Sequence, residues 1–204
     1  MMDESVNQLV GSGRADAQED RPDMAMRVTL LCHAALVRQV EVGFPADEPV
    51  DPAKLESIPA PGRFDRLLSA PELRARQTAD ALGPDAIIEP ALRDGDYGTW
   101  RGRSLGEIGA ADPAGTAAWL ADPAAAPHGG ESIVDLLRRI GGWLDAGLEP
   151  GHTVGVTHPA VIRAAVVHAL GAPPAAFWRV DVAPLSLVDL RHHAGRWTLR
   201  ALGR

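Results

Sequence analysis

Apolar runs of strand length and amphipathic runs of helix length alternate along this chain. "RVTLLC" (27–32) is a short buried-strand pattern, and "FDRLLSA" (64–70) is a second. "PELRARQTADAL" (71–82) begins with Pro at a first-turn position and spaces Leu73, Thr78, Ala81 and Leu82 as a helix does. "AIIEP" (86–90) predicts a short strand, and "RDGDYGTWRGRS" (93–104) a Gly-rich loop. Helical patterns follow at 104–110, 113–121 and 132–146, then a fourth strand, "HTVGVTH" (152–158), and a helix over 159–171 closed by Gly171. Three extended segments end the chain: "FWRVDV" (177–182), "SLVDLRH" (186–192) and "RWTLRAL" (196–202). His193, Ala194 and Gly195 turn the last two into a hairpin.

This alternation predicts a three-layer α/β/α fold with a mainly parallel sheet. Pro45, Pro49, Pro52, Pro59 and Pro61 make the connection between the first two strands a loop, with one short helix near Asp51–Ser57. Residues 1–25 are polar and lack periodicity, so they predict a disordered tail ahead of a single domain over 26–204. Met24 and Met26 offer a native start just before the first strand.

Charge and composition narrow the function classes. The net charge of −7 argues against nucleic acid or an anionic membrane as the main partner and leaves a small molecule. Six acids against two arginines in residues 1–25 carry −4 of it, leaving −3 for the rest. Only Lys54 is lysine, and it lies in the Pro-rich segment, which disfavours a buried Schiff-base residue. The single cysteine, Cys32, excludes an internal disulfide and a multi-cysteine metal site. No apolar run has transmembrane length and no signal-peptide pattern opens the chain, so a cytoplasmic protein is expected; its oligomeric state is left open.

In parallel α/β sheets ligands bind outside the carboxyl ends of strands. His33, Ser69 and His158 stand at such ends, and His33 and His158 follow strands expected to be neighbours. Arg74 lies in the first turn of the next helix. An imidazole, a guanidinium fork and helix-end amides are what a phosphate site needs.

With these residues in place the chain resembles the histidine phosphatase superfamily, the phosphoglycerate mutase-like fold, from about residue 26 to 200. "LLCHAAL" stands where the family has Leu-x-Arg-His-Gly-Glu-Thr, and "SAPELRARQTA" matches its Arg-Ala-x-Gln-Thr-Ala block. "LRDGDYGTWRG" matches Leu-Arg-Glu-x-x-x-Gly-x-Trp-x-Gly; "GGES" (129–132) with Arg139, and "VTHPAVIRA", fit the last two blocks. The resemblance implies a metal-independent, cofactor-free hydrolysis of a small phosphate monoester through a phosphohistidine. His33 would be the nucleophile, Arg74 and His158 the clamp on the phosphate oxygens, and Asp94 the proton donor in place of the family's Glu. Glu131 is a further candidate at the phosphate.

The opening block departs from the family. Cys32 stands where the family has arginine, Ala34, Ala35 and Leu36 replace Gly, Glu or Gln, and Thr, and Gln39 replaces Asn. Pro159 and Ala160 follow His158 in place of two glycines. Losing a buried charged partner costs on the order of 2–5 kcal/mol, which is roughly 30- to several-thousand-fold in rate. Arg38, and beyond it Arg93, Arg101 and Arg103, are candidates to compensate. Cys32 itself has three readings: buried filler, thiolate nucleophile, or metal ligand with His33, His158 and Asp94. Two rivals to the hydrolase stay open: a ligand-binding or regulatory pseudoenzyme, and an enzyme recruited to a non-phosphate substrate.

Overall fold

The computed structural model describes residues 26–37, 43–146 and 148–203. The tail expected over 1–25, Arg38 and Gln39 lie outside the described residues.

Six strands form one sheet: β1 (Met26–Cys32), β2 (Arg66–Ser69), β3 (Ile87–Ile88), β4 (Gly151–Thr157), β5 (Leu187–His193) and β6 (Arg196–Gly203). Their order is β3-β2-β4-β1-β5-β6; the first four are parallel, and β5 and β6 close one side antiparallel. The last five residues of β1 and the last six of β4 are all buried, the pattern of central strands covered on both faces. The expected hairpin is present, with Ala194 and Gly195 at φ 49° and 71°, as a two-residue turn that follows the strand twist requires.

Six α-helices among the described residues complete the α/β fold: α1 (Pro52–Leu55), α2 (Leu73–Asp80), α3 (Leu105–Ala111), α4 (Pro113–Ala121), α5 (Ile133–Asp145) and α6 (Pro159–Ala169). Local chemistry starts them where the pattern predicts. Ser104 and Glu107 form a reciprocal capping box at α3, Asp112 caps α4 above Pro113, and Ser132 caps α5. The main core holds β1, β4, α5 and α6, including Leu30, Leu31, Val154, Val156, Ile140 and Ile162. A smaller aromatic core of Phe44, Trp100, Ile108 and Trp119 lies under the loops.

One expected extended segment is not a strand. Residues Pro174–Arg179 form a 3-10 helix, and 180–182 continue without regular structure. Pro174 in the first turn presets the backbone for a turn, and Phe177 goes inward, where Arg163 lies 5.7 Å from its ring centre.

Candidate active site

β1 and β4 run in register to their ends, Cys32 opposite Thr157, so the next residues of each strand, His33 and His158, stand side by side. Their rings are 5.3 Å apart between centres and inclined at 61°. The His33 amide donates to the Thr157 carbonyl at 2.9 Å, tying the two strand ends together. His33 Nδ1 lies 2.8 Å from the Ala34 carbonyl oxygen, which can only accept, so Nδ1 carries the proton. That leaves the lone pair on Nε2, which has no hydrogen-bond partner among the described residues. Burial, reinforced by His158, lowers the His33 pKa to about 3, so the ring is uncharged at neutral pH.

Around His158 four residues close a hydrogen-bonded cycle. Arg74, 1% exposed, donates from Nε to His158 Nδ1 at 3.2 Å and from Nη2 to Asp94 Oδ2 at 2.7 Å. Because His158 Nδ1 accepts, the proton is on Nε2, which donates to Glu72 Oε2 at 2.8 Å. Glu72 Oε1 accepts the Asp94 amide at 3.1 Å and completes the cycle. Arg74 Nη1 donates to the Ala46 carbonyl at 2.8 Å, so all three nitrogens of the guanidinium are engaged. Asp94 accepts with both oxygens, from Arg74 and from the Gly95 amide at 2.8 Å, and as placed presents no proton.

The Asp94 loop is braced from behind. Arg139 grips Glu131 through two bonds of 2.8 and 2.7 Å and donates to the carbonyls of Ala91, Arg93 and Asp94. Gly98 holds φ +45°, and a Cβ there would strike the His128 carbonyl; one at Gly130 would strike the Asp96 carbonyl. Two loops therefore touch backbone to backbone where only glycine fits. Tyr97 lies in this loop, and burial, with the charge of Asp94 adding to it, raises its pKa well above 10.

Cys32 is fully buried, and burial, with Asp94 adding to it, pushes its thiol up to about 12. A thiol that stays protonated is not a nucleophile. No group of three or more His, Cys, Asp or Glu among the described residues could hold a metal ion. The structure thus brings together His33, His158, Arg74 and Asp94. It sets Glu131 behind them on Arg139, with Arg93 3.6 Å away. Arg93, Arg101 and Arg103 turn to Glu131, Asp96 and the Glu107 carbonyl respectively, not to the histidines. Arg163, near enough for its charge to act on Cys32, is anchored by a 2.8 Å bond to the Val180 carbonyl. Sequence reasoning passed over Glu72, because an acid at a helix start ordinarily reads as a partner of the helix dipole. No helix among the described residues is long and apolar enough to cross a membrane.

Comparison with known proteins identifies the family. A bifunctional protein of Mycobacterium tuberculosis is 32% identical over 137 residues, 63% of this chain and 38% of that protein. The chain thus spans well under half the length of this relative. A glucosyl-3-phosphoglycerate phosphatase of Mycolicibacterium vanbaalenii is 40% identical over 77 residues, 36% of this chain and 34% of that enzyme. The crystal structure of a mycobacterial glucosyl-3-phosphoglycerate phosphatase superposes with a TM-score of 0.72 at 25% identity, over 86% of this chain and 97% of that one. In fold, a phosphoserine phosphatase of Entamoeba histolytica matches at a TM-score of 0.76 and 18% identity, over 88% and 97% of the two chains. The family model of the histidine phosphatase superfamily (branch 1) matches residues 54–204, and this chain belongs to that superfamily.

Proposed function

We propose that this protein hydrolyses a small phosphate monoester through a phosphohistidine on His33, in a pocket weakened by the loss of one arginine. The carrying observation is the His33 tautomer: Nδ1–H is held by the Ala34 carbonyl, so the lone pair of an uncharged, buried ring sits on Nε2 beside His158. That lone pair forms the N–P bond while the P–O bond to the alcohol breaks. Asp94, protonated when the substrate is bound, gives its proton to the leaving alkoxide. Water then attacks phosphorus, the N–P bond breaks, the water proton goes to Asp94, and phosphate leaves.

Charge sets the order of these events. The Glu72 and Asp94 carboxylates outweigh the Arg74 guanidinium by one negative charge, and no arginine stands at Cys32. A phosphate dianion that takes the Arg74 Nη2 hydrogen bond displaces Asp94 from it. Once displaced, the Asp94 carboxyl is free to face the leaving oxygen, the place from which a general acid must deliver its proton.

The test is turnover of an aryl phosphate together with trapping of the phosphoenzyme. Wild type is expected to give an acid-labile, base-stable phosphoprotein that His33→Ala does not form. Equal turnover by His33→Ala would sink the mechanism. The occupation of Arg74 by Asp94 and the protonated Cys32 favour a second reading, a pseudoenzyme that binds an anion without turning it over. Vanadate binding with no phosphoenzyme would select it.

A further inference from the structure

We infer that Glu72 is the positioning residue of this site: one carboxylate that fixes the His158 tautomer with one oxygen and the backbone of the proton donor, Asp94, with the other. The inference rests on the hydrolase reading for its catalytic consequence, but its geometry stands independently. Oε2 accepts His158 Nε2–H at 2.8 Å and Oε1 accepts the Asp94 N–H at 3.1 Å. The ordinary job of an acid at this place is to cap its own helix. Glu72 occupies the N-cap position of α2 and makes no side-chain capping bond. Asp47 does that work, its carboxylate accepting the Leu73 amide at 2.7 Å. Glu72 is therefore committed wholly to His158 and Asp94.

Its ionisation fits the role. Burial alone would raise the Glu72 pKa, but the hydrogen bonds from His158 and from the backbone amides outweigh it and lower the value to about 2. The carboxylate thus remains a double acceptor across the working range of an enzyme. A double acceptor is what the cycle demands, because both groups facing it are N–H donors. With Nε2–H committed to Glu72, the His158 ring must turn Nδ1 towards Arg74, which orients the guanidinium between His158 and Asp94.

Glu72→Gln keeps the shape and removes one acceptor. Its amide nitrogen must then face either the His158 N–H or the Asp94 N–H, donor against donor. The ring can relieve this only by moving its proton to Nδ1, where it meets Arg74 Nε–H, so the cycle breaks in either case.

Two measurements test this. In wild type, imidazole 15N NMR should show His158 protonated at Nε2. In Glu72→Gln it should show a population protonated at Nδ1. In steady-state kinetics the same variant should lose about 100-fold in kcat on an alkyl phosphate. On an aryl phosphate, whose leaving group needs little acid, it should lose no more than about tenfold. A wild-type His158 protonated at Nδ1, or equal kcat losses on both esters with the tautomer unchanged, would overturn the inference. Should Glu72→Gln not fold, the wild-type tautomer decides alone. Should wild type hydrolyse neither ester, the hydrolase reading falls, and the NMR result still decides the role of Glu72.

Discussion

Arg74 donates to the Asp94 carboxylate at 2.7 Å, so the fork proposed for phosphate already holds an internal anion. Arg74 is buried and the Asp94 side chain is 14% exposed, so solvent screens this pair little. The pair makes Asp94 a competitor of the substrate as well as its proposed acid. Asp94→Asn separates these roles. Binding of vanadate or inorganic phosphate should tighten, by about tenfold for about 1.4 kcal/mol of relieved competition. Turnover of an alkyl phosphate should fall by about 100-fold or more, since the amide has no acidic proton. Weaker anion binding in a folded Asp94→Asn protein, measured by calorimetry, would remove Asp94 from the Arg74 competition.

Stability should fall on the acid side. The folded-state pKa of His33 is lowered from 6.5 to about 3, and those of His128 and His152 are lowered too, each chiefly by burial. Between the two values the unfolded chain binds more protons, so stability is full above about pH 6.5 and is lost progressively towards pH 3. Cys32 acts at the other end: with its pKa raised from 9 to about 12, stability is lost as pH rises through that window. A melting temperature that stays level from pH 7 to pH 4 would show that the histidines are not buried as described.

The pairing of His33 with His158 was legible before the fold, because two apolar runs of strand length each ended in histidine. Parallel strands of an α/β sheet bring such ends together. The elements were legible for a similar reason, since caps such as Ser104, Asp112 and Ser132 stand directly before their helices. What closes the site was not legible. Arg74 and Asp94 are 20 positions apart, and their contact depends on how a loop folds back over a helix start. Glu72 carries no local signal that separates it from any acid at a helix N-terminus. Glu131 was visible as a candidate and Arg139 as part of the same sequence block, yet their mutual clamp follows only from the turn of α5. Residues 177–182 read as extended because their apolar spacing outweighed the effect of Pro174.

Arg139→Ala should loosen the Asp94 loop without touching the histidines. It removes two hydrogen bonds to Glu131, whose side chain is 9% exposed, and three more to the carbonyls of Ala91, Arg93 and Asp94. Leaving such a carboxylate without its main partner costs about 3 kcal/mol. Arg93, 3.6 Å from Glu131, offsets part of that. Denaturant unfolding should therefore show a lower midpoint with an unchanged slope. An unaltered midpoint would show that the clamp is idle.

Cys32→Arg decides what the altered opening block has cost. Cys32 is fully buried in the main core, and the charges of Asp94, Arg163 and Arg74 all reach it. A longer side chain there must overpack the core, at about 1–3 kcal/mol, so the melting temperature should fall. A guanidinium that reaches the bound phosphate would add a charge-assisted hydrogen bond worth about 1.5–3 kcal/mol. Vanadate affinity should then rise about 10- to 100-fold, and KM for an aryl phosphate should fall with it. The two effects have opposite signs on different observables, so a damaged fold cannot imitate the gain. If the variant folds and binds vanadate no better, the space beside Cys32 is not the missing half of a phosphate clamp. The site would then belong to a ligand that Arg74 and His158 hold without help from the first strand.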